Sequence, residues 1–246
     1  MHTTIEVLDD RADRLHVRLN RPEVRNAIDR AMVLELHDVC AGLEAAPRIL
    51  IISGGDGVFA SGADIAELRD RTAADAMEGI NSRLFTRIAA LPMPVIAAID
   101  GWALGGGAEL AYAADFRLAS TRARIGNPET SLGIIAAAGA TWRLPELVGE
   151  PLAKEMLLAG RVLDAQEALA VRLVTEVHAP EALPAAADAL ADRITRQDPL
   201  AVQLSKSVLH APRAEHPEVD ERAQSRLFES PEKYSRMTAF LDRRAT

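Results

Sequence analysis

Ile96-Ala97-Ala98-Ile99-Asp100-Gly101-Trp102-Ala103-Leu104-Gly105-Gly106-Gly107-Ala108-Glu109-Leu110-Ala111-Tyr112 is the stretch on which the reading of the fold turns. Its first residues, entered after Pro94, form a short apolar run that is partly β-branched and punctuated at both ends, the pattern of a buried strand. Its last residues are good helix formers. Between them stand three glycines, and glycine costs stability inside either element. A strand-to-helix turn gives them a purpose, because backbone N–H groups can approach a ligand closely there and the helix N-terminus adds partial positive charge. Glu109 falls in the first turn of that helix. Alone it would only complement the helix dipole; beside the glycine turn it is a candidate for proton chemistry.

The turn does not read as a phosphate cradle. No Gly-Lys-Ser/Thr follows it, Leu110 occupies the third glycine position of the dinucleotide spacing, and Glu109 would repel a phosphate. A developing oxyanion held by backbone N–H, with Glu109 exchanging a proton nearby, fits better.

With 246 residues, the chain has room for one large α/β domain or a domain with a helical extension. Aromatics are only 4% against 48% hydrophobic residues overall, so Ala, Leu, Ile and Val must build the core. The single cysteine, Cys40, excludes an internal disulfide framework. A net charge of −8 argues against bulk nucleic-acid binding. No signal-peptide pattern and no uncharged apolar run of spanning length is visible, so a cytoplasmic protein without a membrane span is expected. The histidines are scattered, without His-x-x-x-His or Cys-x-x-Cys spacing, which speaks against a metal site.

Outward from the central stretch, residues 4–8 and 14–19 read as two strands joined by a turn at residues 9–13. Asn26 or Asp29 can cap a helix over 30–45, whose Met32, Val33, Leu36, Val39, Cys40 and Leu43 mark one apolar face. Residues 48–53 read as a buried strand. A second glycine-flanked turn follows at Ala60-Ser61-Gly62-Ala63-Asp64-Ile65 and could supply a second backbone donor. One helix is expected over 73–90 and a strand over 115–119. Glu129 lies in a loop over 125–133, next to the uncharged stretch Ile134–Ala140, which favours its desolvation and a raised pKa. Asp164-Ala165-Gln166-Glu167 reads as a capping box, 174–178 as an edge strand, and 180–196 and 200–210 as helices. Two further helices over 219–230 and 231–244 complete a division into residues 1–195 and a helical region, 196–246.

Together these pieces resemble the crotonase, or enoyl-CoA hydratase/isomerase, superfamily. The likeness runs from about residue 4 to residue 244. It is densest at Asn20-Arg21-Pro22…Asn26-Ala27, Phe59-Ala60-Ser61-Gly62-Ala63-Asp64-Ile65, Gly101…Gly105-Gly106-Gly107-Ala108-Glu109-Leu110 and Pro128-Glu129…Leu132-Gly133, and continues at Arg143-Leu144, Gln166-Glu167 and Met237-Thr238-Ala239-Phe240. The resemblance implies an α/β spiral of ββα units with a C-terminal α-helical trimerisation region, and a homo-oligomer that is a trimer or a dimer of trimers. It makes Ala63 and Gly106 the N–H donors to a thioester oxygen and Glu109 and Glu129 the two catalytic carboxylates. It also sets the acyl-CoA substrate against Arg25, Ala60, Ser61, Gly62, Asp64, Ile65, Gly105 and Ala137, with Phe240 and Arg243 (or Arg244) reaching from a neighbouring subunit. No cofactor is implied, coenzyme A being part of the substrate.

Having both glutamates favours hydration of a trans-2-enoyl-CoA over Δ3,Δ2-isomerisation, which needs one of them, and over non-catalytic acyl-CoA binding, which needs the oxyanion turns but not both glutamates. A glycosidase using two carboxylates would leave the glycine turns without a task. The sequence departs from the family pattern at Ala136–Ala140, where Ala137 adds a methyl to a usually glycine- and proline-rich turn, at Trp142, and at Arg172, which replaces a glycine. These departures bear on the acyl pocket more than on the reaction.

Overall fold

The computed structural model describes residues 2–8 and 11–243, so Asp9 and Asp10 of the first turn and Arg244 lie outside the described residues. Among the described residues no helix is long and apolar enough to cross a membrane. The chain forms two compact units, Met1–Ala191 and Asp192–Thr246.

After an opening hairpin and helix, the first unit repeats one motif three times, from Ile49 to Ala159. A strand enters a large sheet, a short strand enters a smaller sheet, and helix follows. β1 (Ile5–Leu8) and β2 (Arg14–Leu19) lead into α1 (Arg30–Ala45). β3 (Ile49–Ser53) and β4 (Val58–Ala60) precede α2 (Ile65–Asp70), α3 (Ala73–Glu78) and α4 (Ile80–Ala89). β5 (Val95–Ile99) and β6 (Trp102–Leu104) precede α5 (Gly106–Tyr112). β7 (Phe116–Ser120) and β8 (Arg124–Gly126) lead to a 3-10 turn at Glu129–Leu132, then α6 (Ala140–Val148) and α7 (Glu150–Ala159). β9 (Val162–Asp164), α8 (Ala165–Ala170), β10 (Glu176–His178) and α9 (Leu183–Thr195) follow.

The large sheet runs β1-β2-β3-β5-β7-β10 and the small one β4-β6-β8-β9. All neighbours are parallel except β1 with β2 and β8 with β9. Central parallel strands are covered on both faces, which is why Ile49–Ile52 and Val95–Ile99 are apolar at every position and buried throughout. All six apolar residues expected on α1 are buried, and Asp29 caps the helix by accepting from Met32 N at 2.8 Å. Asn26 has another task, donating to the carbonyls of Val58 and Phe59 at 3.0 and 3.2 Å.

Three expectations need correction. The apolar run before the glycines is two strands in two sheets, split at Gly101, whose φ is +71° and where a Cβ would lie 1.6 Å from the Gly57 carbonyl. The helix expected over 73–90 is broken at Gly79, which caps α3 in the left-handed region at φ +62°. The expected loop over 125–133 begins as the end of β8 and contains the 3-10 turn. Arg172 adopts the left-handed conformation, with φ +60°. The capping box at Asp164 and Glu167 forms as expected.

The second unit consists of the end of α9 with α10 (Pro199–Leu209), α11 (Glu218–Phe228) and α12 (Pro231–Asp242). Asp198 caps α10 through Ala201 N at 2.7 Å. Leu209, Phe228, Tyr234, Met237 and Phe240 of this unit are each more than half exposed.

Candidate active site

Two loops of the small sheet meet in the first unit. The first leaves β4 through Ser61, Gly62 and Ala63 and is pinned to Ile28, whose N–H donates to Gly62 O at 2.8 Å and whose carbonyl accepts from Asp64 N at 3.0 Å. The second leaves β6 through Gly105, which has φ +51° and begins α5. They approach so closely that a Cβ on Gly106 would stand 3.4 Å from Ala63 N. Gly107 lets α5 lie against β4, since a Cβ there would meet the Ala60 carbonyl at 2.3 Å. Neither the Ala63 nor the Gly106 N–H has an acceptor among the described residues. Two such N–H groups on adjacent loops form a place for a negatively charged oxygen.

Glu109 sits one turn into α5 and is 3% exposed. Its Oε1 accepts from the N–H groups of Ala138 and Ala140 at 2.7 and 3.1 Å. Burial pushes its carboxyl up to about 7; the neighbouring Glu129 adds to the rise, and the backbone N–H groups of residues 138–140 oppose it. Glu129 opens the 3-10 turn and is 8% exposed. Burial raises its pKa as well, against its own backbone N–H and the Asn127 side chain, which donates to Oε1 at 3.3 Å. Its Oε2 is buried without a hydrogen-bond partner among the described residues. A carboxylate oxygen held this way is free to take a proton from a bound molecule.

Both carboxylates and both N–H loops line one cavity of about 600 Å³. Ser61, Gly62, Ile65, Gly105 and Ala137, expected at the substrate, line it too. Three other expected contacts do not. Ala60 is wholly buried under Gly107, and Asp64 caps α2 and pairs with Arg21 at 3.3 Å. Arg25 is exposed with φ +55°, and it is its carbonyl that faces this region, accepting from Ser61 N at 3.1 Å. Phe240 and Arg243 are exposed residues of the second unit. Trp142 is not a lining residue; the Arg143 guanidinium stacks over its ring at 5.7 Å.

Sequence reasoning missed the polar wall formed by Arg71, Thr72, Asp75 and Asn81. It also missed Tyr112 and Asn127, whose buried side chains meet at 2.9 Å. Tyr112 stands three residues after Glu109 and Asn127 two before Glu129, and those offsets were the only signal. Among the described residues no group of three His, Cys, Asp or Glu side chains is placed to hold a metal ion.

Comparison with known proteins agrees with this geometry. The family model for enoyl-CoA hydratase/isomerase matches residues 12–246. A crotonyl-CoA hydratase of Syntrophomonas wolfei is 40% identical over 92% of this chain and 90% of its own length. A short-chain-enoyl-CoA hydratase of Clostridium acetobutylicum is 36% identical over 93% and 91%. The crystal structure of an enoyl-CoA hydratase from Bacillus anthracis superposes with a TM-score of 0.91 at 32% identity, covering 98% of this chain and 97% of that one. The fold is that of the crotonases. The chain belongs to the enoyl-CoA hydratase/isomerase family.

Proposed function

We propose that the cavity binds a trans-2-enoyl-CoA and that the enzyme adds one water across its 2,3 double bond, giving a 3-hydroxyacyl-CoA. The observation that carries this reading is the meeting, on one cavity, of two buried carboxylates and two backbone N–H groups without acceptors.

The N–H groups of Ala63 and Gly106 hold the thioester oxygen, so that negative charge can move onto it and Cβ becomes electrophilic. Water attacks Cβ, the π pair becomes an enolate, and Glu129 Oε2 takes a proton from the water. Glu109, its Oε1 fixed by Ala138 and Ala140, accepts the other O–H and holds the water in line. Glu129 then returns its proton to Cα on the same face, and the enolate collapses to the thioester. Hydroxyl is gained at Cβ and hydrogen at Cα from one water, and both carboxylates end as they began. Glu129 rather than Glu109 is assigned the transfer to Cα because its Oε1 lies 3.2 Å from where a Gly105 Cβ would stand, next to the Gly106 donor, and Cα is bonded to the carbonyl carbon.

Leu68, Ile80, Leu132, Ile134 and Ile135 supply an apolar lining suited to a short acyl chain, and the named relatives act on crotonyl-CoA and short-chain enoyl-CoA. The reaction needs no cofactor. Arg25 is assigned to the CoA phosphates, and Phe240 and Arg243 to those of a neighbouring copy, on the family resemblance. The exposed apolar side chains of the second unit support assembly into trimers or dimers of trimers. Loss of enoyl absorbance with crotonyl-CoA tests the activity, and light scattering tests the assembly. A purified, folded protein that binds crotonyl-CoA without consuming it would refute the hydratase reading.

A further inference from the structure

The Glu129 carboxylate and the Gly105–Gly106 peptide belong to different loops, and one buried side chain reaches both, the peptide through its carbonyl. Asn127 is fully buried and sends Nδ2 toward Glu129 Oε1 at 3.3 Å and toward the Gly105 carbonyl at 3.4 Å. Its Oδ1 accepts from the Tyr112 hydroxyl at 2.9 Å. These partners fix the orientation of the amide. Carboxylate and carbonyl oxygens only accept, so a reversed amide would set its oxygen against both. Tyr112 is buried and completes the arrangement as the donor on the other side, burial having raised its pKa well above the ordinary phenol value. The Gly105 carbonyl and the Gly106 N–H belong to one planar trans peptide. A carbonyl turned toward Asn127 therefore turns that N–H away from it.

We propose that Asn127, oriented by Tyr112, is a positioning residue that holds the proton-carrying carboxylate and the oxyanion-binding peptide in one geometry. This rests on the roles given above to Glu129 and Gly106. The titratable groups that interact with Glu129 are Glu109 and Tyr112, both on α5, and Arg117 in turn faces Tyr112. Without the Asn127 donor, Glu129 keeps its burial and its acidic neighbour and loses a bond that favours the ionised form. Two consequences follow that loss of packing alone would not produce. Turnover falls without a matching change in KM, because base and oxyanion donor act chiefly in the transition state. The acidic limb of the kcat/KM profile also moves to higher pH, because the ionised Glu129 has lost a hydrogen bond that favoured it.

The experiment compares wild type, Tyr112→Phe, Asn127→Leu and Glu129→Gln, with kcat and KM for crotonyl-CoA measured from about pH 5 to about pH 9. Asn127→Leu is expected to lower kcat about 10–100-fold with KM within about twofold, and to move the limb to higher pH. Tyr112→Phe, which removes only a hydroxyl, should act in the same direction by about 3–10-fold. If Asn127→Leu does not fold, Tyr112→Phe decides alone. An inactive Glu129→Gln beside a folded Tyr112→Phe with wild-type kcat and pH profile overturns this inference alone. A Glu129→Gln protein with wild-type kcat overturns the reading of the site and this inference with it.

Discussion

Glu109 and Glu129 reach the same cavity from regions built in different ways. Glu109 stands on α5, and one of its oxygens is clamped by the backbone of the 138–140 turn. Glu129 opens a 3-10 turn and is held through a side-chain amide, with its second oxygen unpartnered among the described residues. Both are buried and both have raised pKa values. What separates them is the partner set. Rigid backbone donors suit a group that must hold a water still, and a free oxygen suits a group that must carry a proton.

The largest expected effects test whether both arms are needed. Glu129→Gln and Glu109→Gln should each lower crotonyl-CoA hydration about 10²–10⁴-fold, with KM changed little. Steady-state kinetics on folded protein checks this, and a Glu109→Gln enzyme of full activity would leave Glu109 without a role. Ala63→Pro removes one N–H on the loop opposite Gly106 and should cost about 10²–10³ in kcat with a smaller change in substrate Kd. Melting temperature must be measured beside it, since proline could disturb the Ile28 bridge.

A smaller effect concerns pH. Glu109 must be ionised to accept from water, and its carboxyl titrates at about 7. The kcat/KM of the wild type should therefore fall roughly tenfold per unit below about pH 7 and level off above it. A profile flat down to about pH 5 would show that the charge on Glu109 is not used.

The smallest effect is on stability and has the opposite sign to the loss of activity. Glu109's folded pKa of about 7 lies above its ordinary 4.5. Its contribution to stability is therefore full below the ordinary value and is lost as pH rises through about 7. Glu109→Gln removes that loss and should stabilise the fold by up to about 3 kcal/mol near pH 8, with the gain vanishing toward pH 5. Thermal melts at the two pH values measure it. Equal melting temperatures throughout would mean that the clamp offsets the burial cost in full.

The sequence disclosed those parts of the site that local chemistry dictates. Gly105 and Gly106 of the glycine turn, the glutamate in the first turn of α5 and the second glutamate beside an uncharged stretch all fall on the cavity, while Gly107 packs against β4. Asp29 and the Asp164–Glu167 box were legible because caps are local. The small sheet was not, since β4, β6, β8 and β9 have three residues each, too few to show a period of two. The break at Gly101 was hidden inside an apolar run, where both flanking strands are hydrophobic for the same reason. The clamp on Glu109 had no sequence signal: Ala137, expected at the substrate, lines the cavity, and the donors to Glu109 are Ala138 and Ala140. The Tyr112–Asn127 contact joins residues from α5 and the loop after β8, so only the fold brings it about.

The claim that Glu129 carries the proton while Glu109 holds the water is tested most directly with butyryl-CoA, a saturated thioester that has Cα protons and no double bond to hydrate. Exchange of those protons with deuterium from solvent needs the base and the oxyanion donors but no positioned water. The account predicts that Glu109→Gln keeps exchange within about tenfold of wild type although its hydration is lost, and that Glu129→Gln loses both by about a hundredfold or more. Exchange kept by Glu129→Gln and lost by Glu109→Gln would contradict it.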